Sequence, residues 1–142
     1  GSITEKSEVY FEPAYQAMIE CDMNINTCVN SDSMVKQKYG EGYVTLLTHT
    51  FLRGTNLKRK VIILDECQNY TVSDLKKTLT RCSDDCKIIC IGHDEQCDLE
   101  NKASSGFKKY INHFSGHEHC EICELTVNHR GWVSQFADEL EE

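Results

Sequence analysis

The 142-residue sequence has no long hydrophobic run. No stretch approaches the roughly 20 consecutive apolar residues that a membrane-spanning helix needs. A charged start followed by an apolar segment, the pattern of a secretory signal, is also absent. We therefore expect a protein without a membrane partner, and the cytosol is its expected compartment.

Positive charge is scarce as well. Fifteen basic residues stand against 23 acidic ones, and the net charge is −8. This sign is wrong for a domain that wraps a nucleic-acid backbone unaided. With 39% hydrophobic and 27% charged residues, the composition is that of a globular protein. The length suits one domain with a core and is too short for two ordinary domains.

What the sequence does contain is an apolar strand that ends in two acids. Residues 61–64 read VIIL, an apolar and mostly β-branched run, the pattern of a parallel strand buried on both faces. Asp65 and Glu66 follow directly. Open α/β sheets bind ligands at the carboxyl ends of their strands, and an Asp-Glu pair there can hold Mg²⁺ and polarise water. The alternative is that the acids simply end a core strand.

Hydrophobic periodicity and turn signals predict the other elements. The predicted helices are residues 5–20 (one helix or two, with Pro13 at a helix start), 72–82, 104–114 and 132–140. The other predicted strands are residues 43–50, 87–91 and 120–127. Thr71 is the expected N-cap of the second helix, and Asp74 adds a favourable charge near its start. In the third helix, the apolar face is expected to be core.

Three segments carry motifs in register: LRGTNLKRKVIILDECQNYTVSDLKKTLTR (52–81), IICIGHDEQCDL (88–99) and EKSEVYFEPAYQAM (5–18). In combination, their LRG, DECQN and G-x-x-x-Q-x-DL elements resemble the core of the PhoH-like family of predicted ATPases, relatives of superfamily-one helicases. The resemblance covers essentially everything after Gly1 and Ser2, which we interpret as a cloning scar.

The resemblance implies an α/β fold: a mostly parallel sheet of about four strands flanked by helices, part of a RecA-like P-loop NTPase domain. Residues 3–142 would form this single domain. The family's phosphate-binding loop, GxxxxGK[ST], lies upstream of the EK segment and has no match here. We therefore interpret the chain as the carboxyl-terminal portion of a PhoH-like ATPase, and we expect this fragment to be inactive because most nucleotide affinity comes from that loop.

The resemblance also implies roles for single residues. Asp65 would hold Mg²⁺, Glu66 would activate water, and Gln96 would sense the γ-phosphate of ATP. Arg130 would stabilise the transition state, unless it pairs instead with the acidic tail at 138–142. Further residues expected at the nucleotide are Arg53, Gln68 and Asn69, although Arg53 could instead brace Asp65.

One position departs from the family pattern. His93 stands where the family has Asp, and Asp94 comes one place later. If that Asp orders metal-bound water, its role is in doubt here, although Asp94 could substitute after a small loop shift. The departure and the missing loop support an alternative function, a non-catalytic protein-interaction domain on an ATPase-derived fold, of a kind that a phage could encode. The intact acids and Gln96 favour a truncated enzyme.

The family links imply ATP and Mg²⁺ as cofactors of the intact parent, with phosphate starvation or RNA metabolism as its setting. RNA or another single-stranded nucleic acid is an implied partner. Loss of the phosphate-loop strand would expose a strand edge and apolar sheet faces. We expect a homo-oligomer, a rearranged N-terminal segment or a partner protein to cover them. The implied compartment is the bacterial cytoplasm, or the host cytoplasm for a phage protein.

Nine cysteines are an unusually large number for this length. In a reducing compartment they are expected to be free thiols. Cys67, Cys90 and Cys97 stand where the family carries small apolar residues, so we expect them to fill the core.

One cluster has ligand types that suit zinc: His117, His119, Cys120 and Cys123. We do not expect zinc there. The two cysteines fall in a predicted strand, where residues three apart point to opposite faces. The tight turn of a zinc knuckle also requires a glycine between its two cysteines, and here Gly116 lies before Cys120 and Cys123.

Overall fold

The computed structural model describes residues 3–30, 42–47, 56–93, 96–127 and 129–140. The elements in chain order are α1 (Ile3–Glu20), α2 (Ile25–Cys28), β1 (Val61–Leu64), α3 (Val72–Leu79), β2 (Lys87–Cys90), α4 (Phe107–Phe114) and α5 (Trp132–Asp138). Short 3₁₀ turns lie at Cys67–Asn69 and Lys102–Ser104. The strand–helix–strand–helix order of the middle of the chain confirms the predicted α/β class.

The sheet consists of β1 and β2 lying side by side. At their starts Lys87 N donates to Lys60 O (3.0 Å), and at their ends Ile91 N donates to Leu64 O (2.8 Å). Because starts pair with starts and ends with ends, the strands are parallel, and α3 is the crossover between them. The described residues hold this sheet of two strands, fewer than the four or so that the sequence predicted.

Burial on β1 follows the two-residue period of a strand. Leu64 is buried at 6% exposure, whereas Val61 and Ile63 are 64% and 60% exposed. The register of the parallel pair places Ile63 opposite Ile89, which is also exposed. The prediction that this strand is buried on both faces is therefore wrong for the described residues. An apolar run reports hydrophobicity, but burial depends on what packs against each face.

Two compact units share the described chain, residues 1–62 with 76–87 and residues 63–75 with 88–142. In the first, α1 is one helix that buries Met18 and contains Pro13 in its interior, which corrects the prediction of Pro13 at a helix start. Proline lacks the N–H of that turn, so the helix carries one backbone bond fewer there. Asn24 caps α2 by accepting from Asn26 N (3.1 Å).

Two predicted strands differ from the structure. Within 43–50, Val44 forms a single bridge with Val29, and residues 48–50 lie outside the described part. Residues 120–127 are exposed and form no strand. A strand needs a neighbour to accept its ladder hydrogen bonds, and the described residues provide none for this segment. Apolar content alone therefore overpredicted strands here.

The second unit is built around α4. Phe107 is buried, and Tyr110, Ile111 and Phe114 are half-buried along the same face, which confirms the predicted amphipathic helix. The rings of Tyr110 and Phe114 lie 4.6 Å apart. Other buried residues of this unit are Leu64, Cys67, Gln68, Leu75 and Cys97. Cys67 and Cys97 thus fill the core as predicted, and Cys90 is half-buried. None of the nine cysteines, all of which lie in the described ranges, is assigned to a disulfide bond.

Among the residues that the structure describes, no helix combines the length and the apolar character that crossing a bilayer requires.

Candidate functional site

The two acids lie where β1 ends, and both are exposed. Asp65 Oδ1 accepts a hydrogen bond from Glu66 N (3.0 Å). Glu66 has φ 52° and ψ 44°, the left-handed helical region, and serves as the N-terminal flank of the 3₁₀ turn. A non-glycine residue held in this region costs on the order of 1–3 kcal/mol, and such strain clusters at functional sites.

Cys67 explains why the chain turns so sharply at Glu66. Its side chain has 0% exposure. Its backbone N donates to Ile91 O (2.8 Å) and its Sγ donates to Leu64 O (3.2 Å). These bonds anchor the residue behind the ends of both strands. With Leu64 and Cys67 both fixed in the core, the two residues between them must bulge outward, which exposes the acids.

Gln68 links the acid loop to the loop that follows β2. It is 1% exposed. Its Nε2 donates to Glu66 Oε2 and to Gln96 O, the latter at 3.2 Å. Its Oε1 accepts from His93 N (3.0 Å). One buried amide therefore contacts the carboxylate of Glu66 and two backbone groups of the second loop.

Asn69 makes a second link between the same loops. Its Oδ1 accepts from Asp98 N (2.8 Å), and its Nδ2 donates to Asp98 Oδ2 (3.4 Å). Cys97 Sγ also donates to Gln68 O (3.2 Å). We call the contacts of Gln68 and Asn69 with residues 93 and 96–98 the loop clasp. The clasp gives a physical reason for the joint presence of DECQN and Q-x-DL in one sequence.

The helix after the acid loop begins with a reciprocal cap. Asp74 N donates to Thr71 Oγ1 (3.2 Å), while Asp74 Oδ2 accepts from Thr71 Oγ1 (2.6 Å) and Thr71 N (3.2 Å). This is the geometry of a capping box, with Asp in the place of the usual Glu. The predicted N-cap is confirmed, and it fixes where the loop ends and α3 begins.

Two thiols and a phenol lie behind the acid loop. A hydrogen bond with the Cys90 thiol, together with burial, raises the pKa of Cys67. The same bond lowers the pKa of Cys90 to about 7, assisted by a hydrogen bond with Tyr110. Burial, followed by the bond to Cys90, raises the pKa of Tyr110. Of these groups, Cys90 is the one whose pKa is lowered.

For the other predicted site residues, the structure shows fewer contacts with the acid loop. Gln96 is exposed, and its backbone joins the clasp. Arg130 is exposed in the segment before α5, where its carbonyl accepts from Gln135 Nε2 (3.2 Å). Arg53 and Asp94 lie outside the described residues. The nucleotide contacts predicted for Gln68 and Asn69 stay predictions, and the structure gives both side chains an internal bonding role.

A carboxylate offers about four lone-pair sites, so the one hydrogen bond that Asp65 accepts leaves oxygen lone pairs for a hard cation such as Mg²⁺. Across the described ranges, no group of three or more His, Cys, Asp or Glu residues is placed to hold a metal ion. Among the four residues whose types suit zinc, where we did not expect a zinc site, His117 Nδ1 accepts from His119 N (3.3 Å). By itself Asp65 supplies a single carboxylate, so a metal held there would need further ligands.

The comparison with known families bears on this arrangement directly. Residues 1–131 match the family model described as PhoH-like protein. The chain belongs to the PhoH-like family. The earlier resemblance is thereby confirmed, and DECQN and Q-x-DL are joined by the loop clasp in this PhoH-like chain.

Curated relatives carry the same family name. The chain is 29% identical to Protein PhoH of Escherichia coli K12 over 90% of its own length and 38% of the relative. It is 28% identical to a PhoH-like protein of Mycobacterium tuberculosis H37Rv, covering 97% of the chain and 38% of the relative. For a PhoH-like protein of Bacillus subtilis the identity is 27%, over 97% and 42%. The chain thus spans about two-fifths of these relatives. No solved structure was found to match it.

Sequence reasoning missed the part that Gln68 plays. The nucleotide contact predicted for it stays a prediction, and the structure adds that the side chain is buried and bonded to groups 25 and 28 positions away. A single sequence carries no local pattern for such long-range pairs. The one available signal was that two motifs occur together in register, which is the property that the clasp accounts for.

Proposed function

We propose that this PhoH-like chain supplies the metal-holding and water-activating acids of an ATP-hydrolysing site. The observation that carries the proposal is the position of Glu66: it lies just after β1, has a strained left-handed backbone, and has its carboxylate bonded to a buried amide. A solvated acid that merely ends a strand needs neither the strain nor the internal bond. Both are features of acids oriented for a task.

Each residue has a stated part in the proposal. Asp65 would hold Mg²⁺, which when bound offsets negative charge on the phosphates. Glu66 accepts a hydrogen bond from, and takes a proton off, the attacking water. The exposed Gln96 side chain would contact the γ-phosphate, and Arg130 would stabilise the charge that develops on it.

Phosphate binding needs more than these groups. The chain contains no GxxxxGK[ST] sequence, so the backbone amides that cradle phosphates in such sites would come from elsewhere. We propose that the chain alone binds Mg-ATP weakly and that turnover belongs to a longer protein, in keeping with the greater length of its relatives. A setting in phosphate starvation or RNA metabolism, with RNA as a partner, is part of the proposal.

The test compares the chain with the full-length protein that its gene encodes. Mg-ATP binding is measured by calorimetry and hydrolysis by phosphate release. Glu66→Gln should keep binding and lower kcat by roughly 10²-fold or more, because it removes the proton acceptor. Glu124→Gln, a change of the same chemistry at an exposed acid of the same unit, is the matched control and should leave turnover unchanged.

Either result decides the question. Turnover that depends on Glu66 in the full-length protein supports the proposal. If the full-length protein binds no Mg-ATP, or hydrolyses it equally well as Glu66→Gln, the ATPase assignment is wrong.

A second candidate function is a non-catalytic interaction domain on the same fold. It is favoured by the apolar residues that the described part leaves exposed on the second unit's sheet face, Ile63, Ile89 and Ile91. Contiguous exposed apolar surface marks interaction sites in soluble proteins. A homo-oligomer or a partner protein would cover this face. The experiment above separates the two candidates, since the interaction domain requires no nucleotide binding in either form.

A further inference from the structure

We propose that Gln68 is a positioning residue that couples the loop of Gln96 to the carboxylate of Glu66. The inference rests on the proposed function, because Glu66 and Gln96 are its predicted water-activating and γ-phosphate-contacting groups. Gln68 itself would touch neither nucleotide nor water. Its amide would set the orientation of Glu66 according to the position of the second loop.

Both polar groups of the Gln68 amide, the NH₂ and the carbonyl oxygen, are hydrogen-bonded. A side-chain amide has two N–H donors and one carbonyl acceptor. The two donors serve Glu66 Oε2 and Gln96 O, and the acceptor serves His93 N. Side chains of the same length do not replace this amide: ionised Glu lacks the donors, and Met has no donor and only a weakly accepting sulfur.

The surrounding packing holds this amide in one place. Gln68 is buried at 1% exposure. A Cβ built on Gly92 would lie 2.9 Å from Gln68 Oε1 and 3.0 Å from Phe107 Cζ, so the absence of a side chain at Gly92 makes the room that the amide occupies. Cys97 Sγ fixes the backbone of Gln68 by donating to its carbonyl (3.2 Å). A side chain confined this way transmits displacement of its partners instead of absorbing it.

The consequence is a separation of binding from chemistry. When Gln96 engages a phosphate, its backbone moves or stiffens, and the same Nε2 group that bonds Gln96 O also bonds Glu66. Removing the amide should leave nucleotide contacts intact while Glu66 loses its fixed orientation. A general base that is misplaced slows the chemical step and leaves substrate binding largely unchanged.

Kinetics on the full-length protein test this separation. Gln68→Met keeps the length of the side chain and removes all three bonds, so kcat should fall about 10- to 100-fold while KM for ATP changes less than about threefold. In a Glu66→Gln background the same change should cause no further loss, because Gln68 acts through Glu66. Gln16→Met, at an exposed glutamine of α1, is the matched control.

Hydrogen exchange on the chain itself tests the geometry without any activity. The His93 amide donates to Gln68 Oε1, so Gln68→Met should speed its exchange at least tenfold, whereas Gln16→Met should not. Unchanged exchange overturns the inference. So does an additive loss of kcat in the double variant, which would mean a general structural role. If wild-type turnover is absent or insensitive to Glu66→Gln, the proposed function fails and this coupling with it, whatever the exchange result.

Discussion

At the scale of single residues, the informative feature is that one glutamate combines exposure, backbone strain and an internal hydrogen bond. Glu66 has φ 52°, and its carboxylate bonds to Gln68. Most exposed acids on a protein surface rotate freely and have ordinary backbone angles. The neighbouring buried residues, Cys67 above all, hold Glu66 in this conformation.

The strain at Glu66 gives a prediction about stability. Glu66→Ala and Glu66→Gly both remove the carboxylate, but glycine adopts the left-handed region without steric cost. We therefore expect Glu66→Gly to be more stable to urea than Glu66→Ala by about 1 kcal/mol. Equal unfolding midpoints for the two variants would show that residue 66 relaxes out of the left-handed region.

The thiol pair behind the acid loop gives a prediction about pH. Because the pKa of Cys90 is lowered to about 7, the thiolate is populated above that pH and lost below it. Alkylation of Cys90 by iodoacetamide, followed by mass spectrometry of its peptide, should speed up as pH rises through about 7 and then level off. Cys90→Ser identifies the peptide.

A substitution at Tyr110 tests what lowers the pKa of Cys90. Its hydrogen bond helps to lower the pKa of Cys90, so Tyr110→Phe should move the midpoint of the alkylation profile to higher pH. A midpoint that stays in place would exclude the phenol as a contributor.

At the scale of elements, the loops and helix starts around the site are defined by caps and close contacts. Thr71 and Asp74 cap α3 reciprocally. Gly106 packs against the same helix start, and its N donates to Tyr70 O (2.7 Å). The beginnings of α3 and α4 therefore meet at one place, just after the acid loop.

The cap predicts a helix-specific loss. Thr71→Ala removes the hydroxyl that both donates to and accepts from Asp74, and should lower the free energy of unfolding by about 1 kcal/mol. Thr71→Ser keeps a hydroxyl and should retain most of the stabilisation that the cap provides. Ser73→Ala, at an exposed position of the same helix, should change stability by less than about 0.5 kcal/mol. Chemical denaturation measures all three, and equal effects at 71 and 73 would contradict the capping box.

The two glycines that precede α4 and α5 form a matched pair. A Cβ on Gly106 would lie 2.6 Å from Val72 N, whereas one on Gly131 meets nothing within 4 Å. Because the backbone of Val72 cannot move aside cheaply, Gly106→Ala should destabilise by about 1–3 kcal/mol. Gly131→Ala should be close to neutral. Thermal unfolding compares them, and a neutral Gly106→Ala would mean that the two helix starts do not pack this closely.

At the scale of the whole molecule, the described residues leave much apolar surface uncovered. Ile89 of β2 is 42% exposed, Ile91 just after this strand is 50% exposed, and Trp132 on α5 is 76% exposed. A parallel sheet normally has both faces covered. The exposed sheet face is the surface on which the oligomer and partner predictions depend.

Sedimentation can test whether this face associates. We expect the chain to form larger species as its concentration rises through the micromolar range, and Ile89→Lys to oppose this by placing a charge on the face. Leu125→Lys, at an exposed apolar residue in the same unit but off the sheet, is the control. A wild-type chain that stays monomeric at all of these concentrations would show that the exposed face does not drive association.

Much of the architecture was accessible from the sequence because its causes are local. The α/β order, the cap at Thr71 and the amphipathic face of α4 depend on residues within about four positions of one another, where periodicity and capping rules apply. Family motifs also identified Asp65 and Glu66 as the residues of interest, and the structure places both together at the end of β1.

Tertiary structure alone decided the rest, because the remaining features depend on contacts between distant parts of the chain. The left-handed backbone of Glu66 follows from Cys67 bonding to Ile91, and the burial of Gln68 follows from partners as far as 28 positions away. One-sided burial of β1 and the missing strand at 120–127 likewise depend on which neighbours are present. The sequence determines which residues are apolar, whereas tertiary packing determines which segments cover each apolar face.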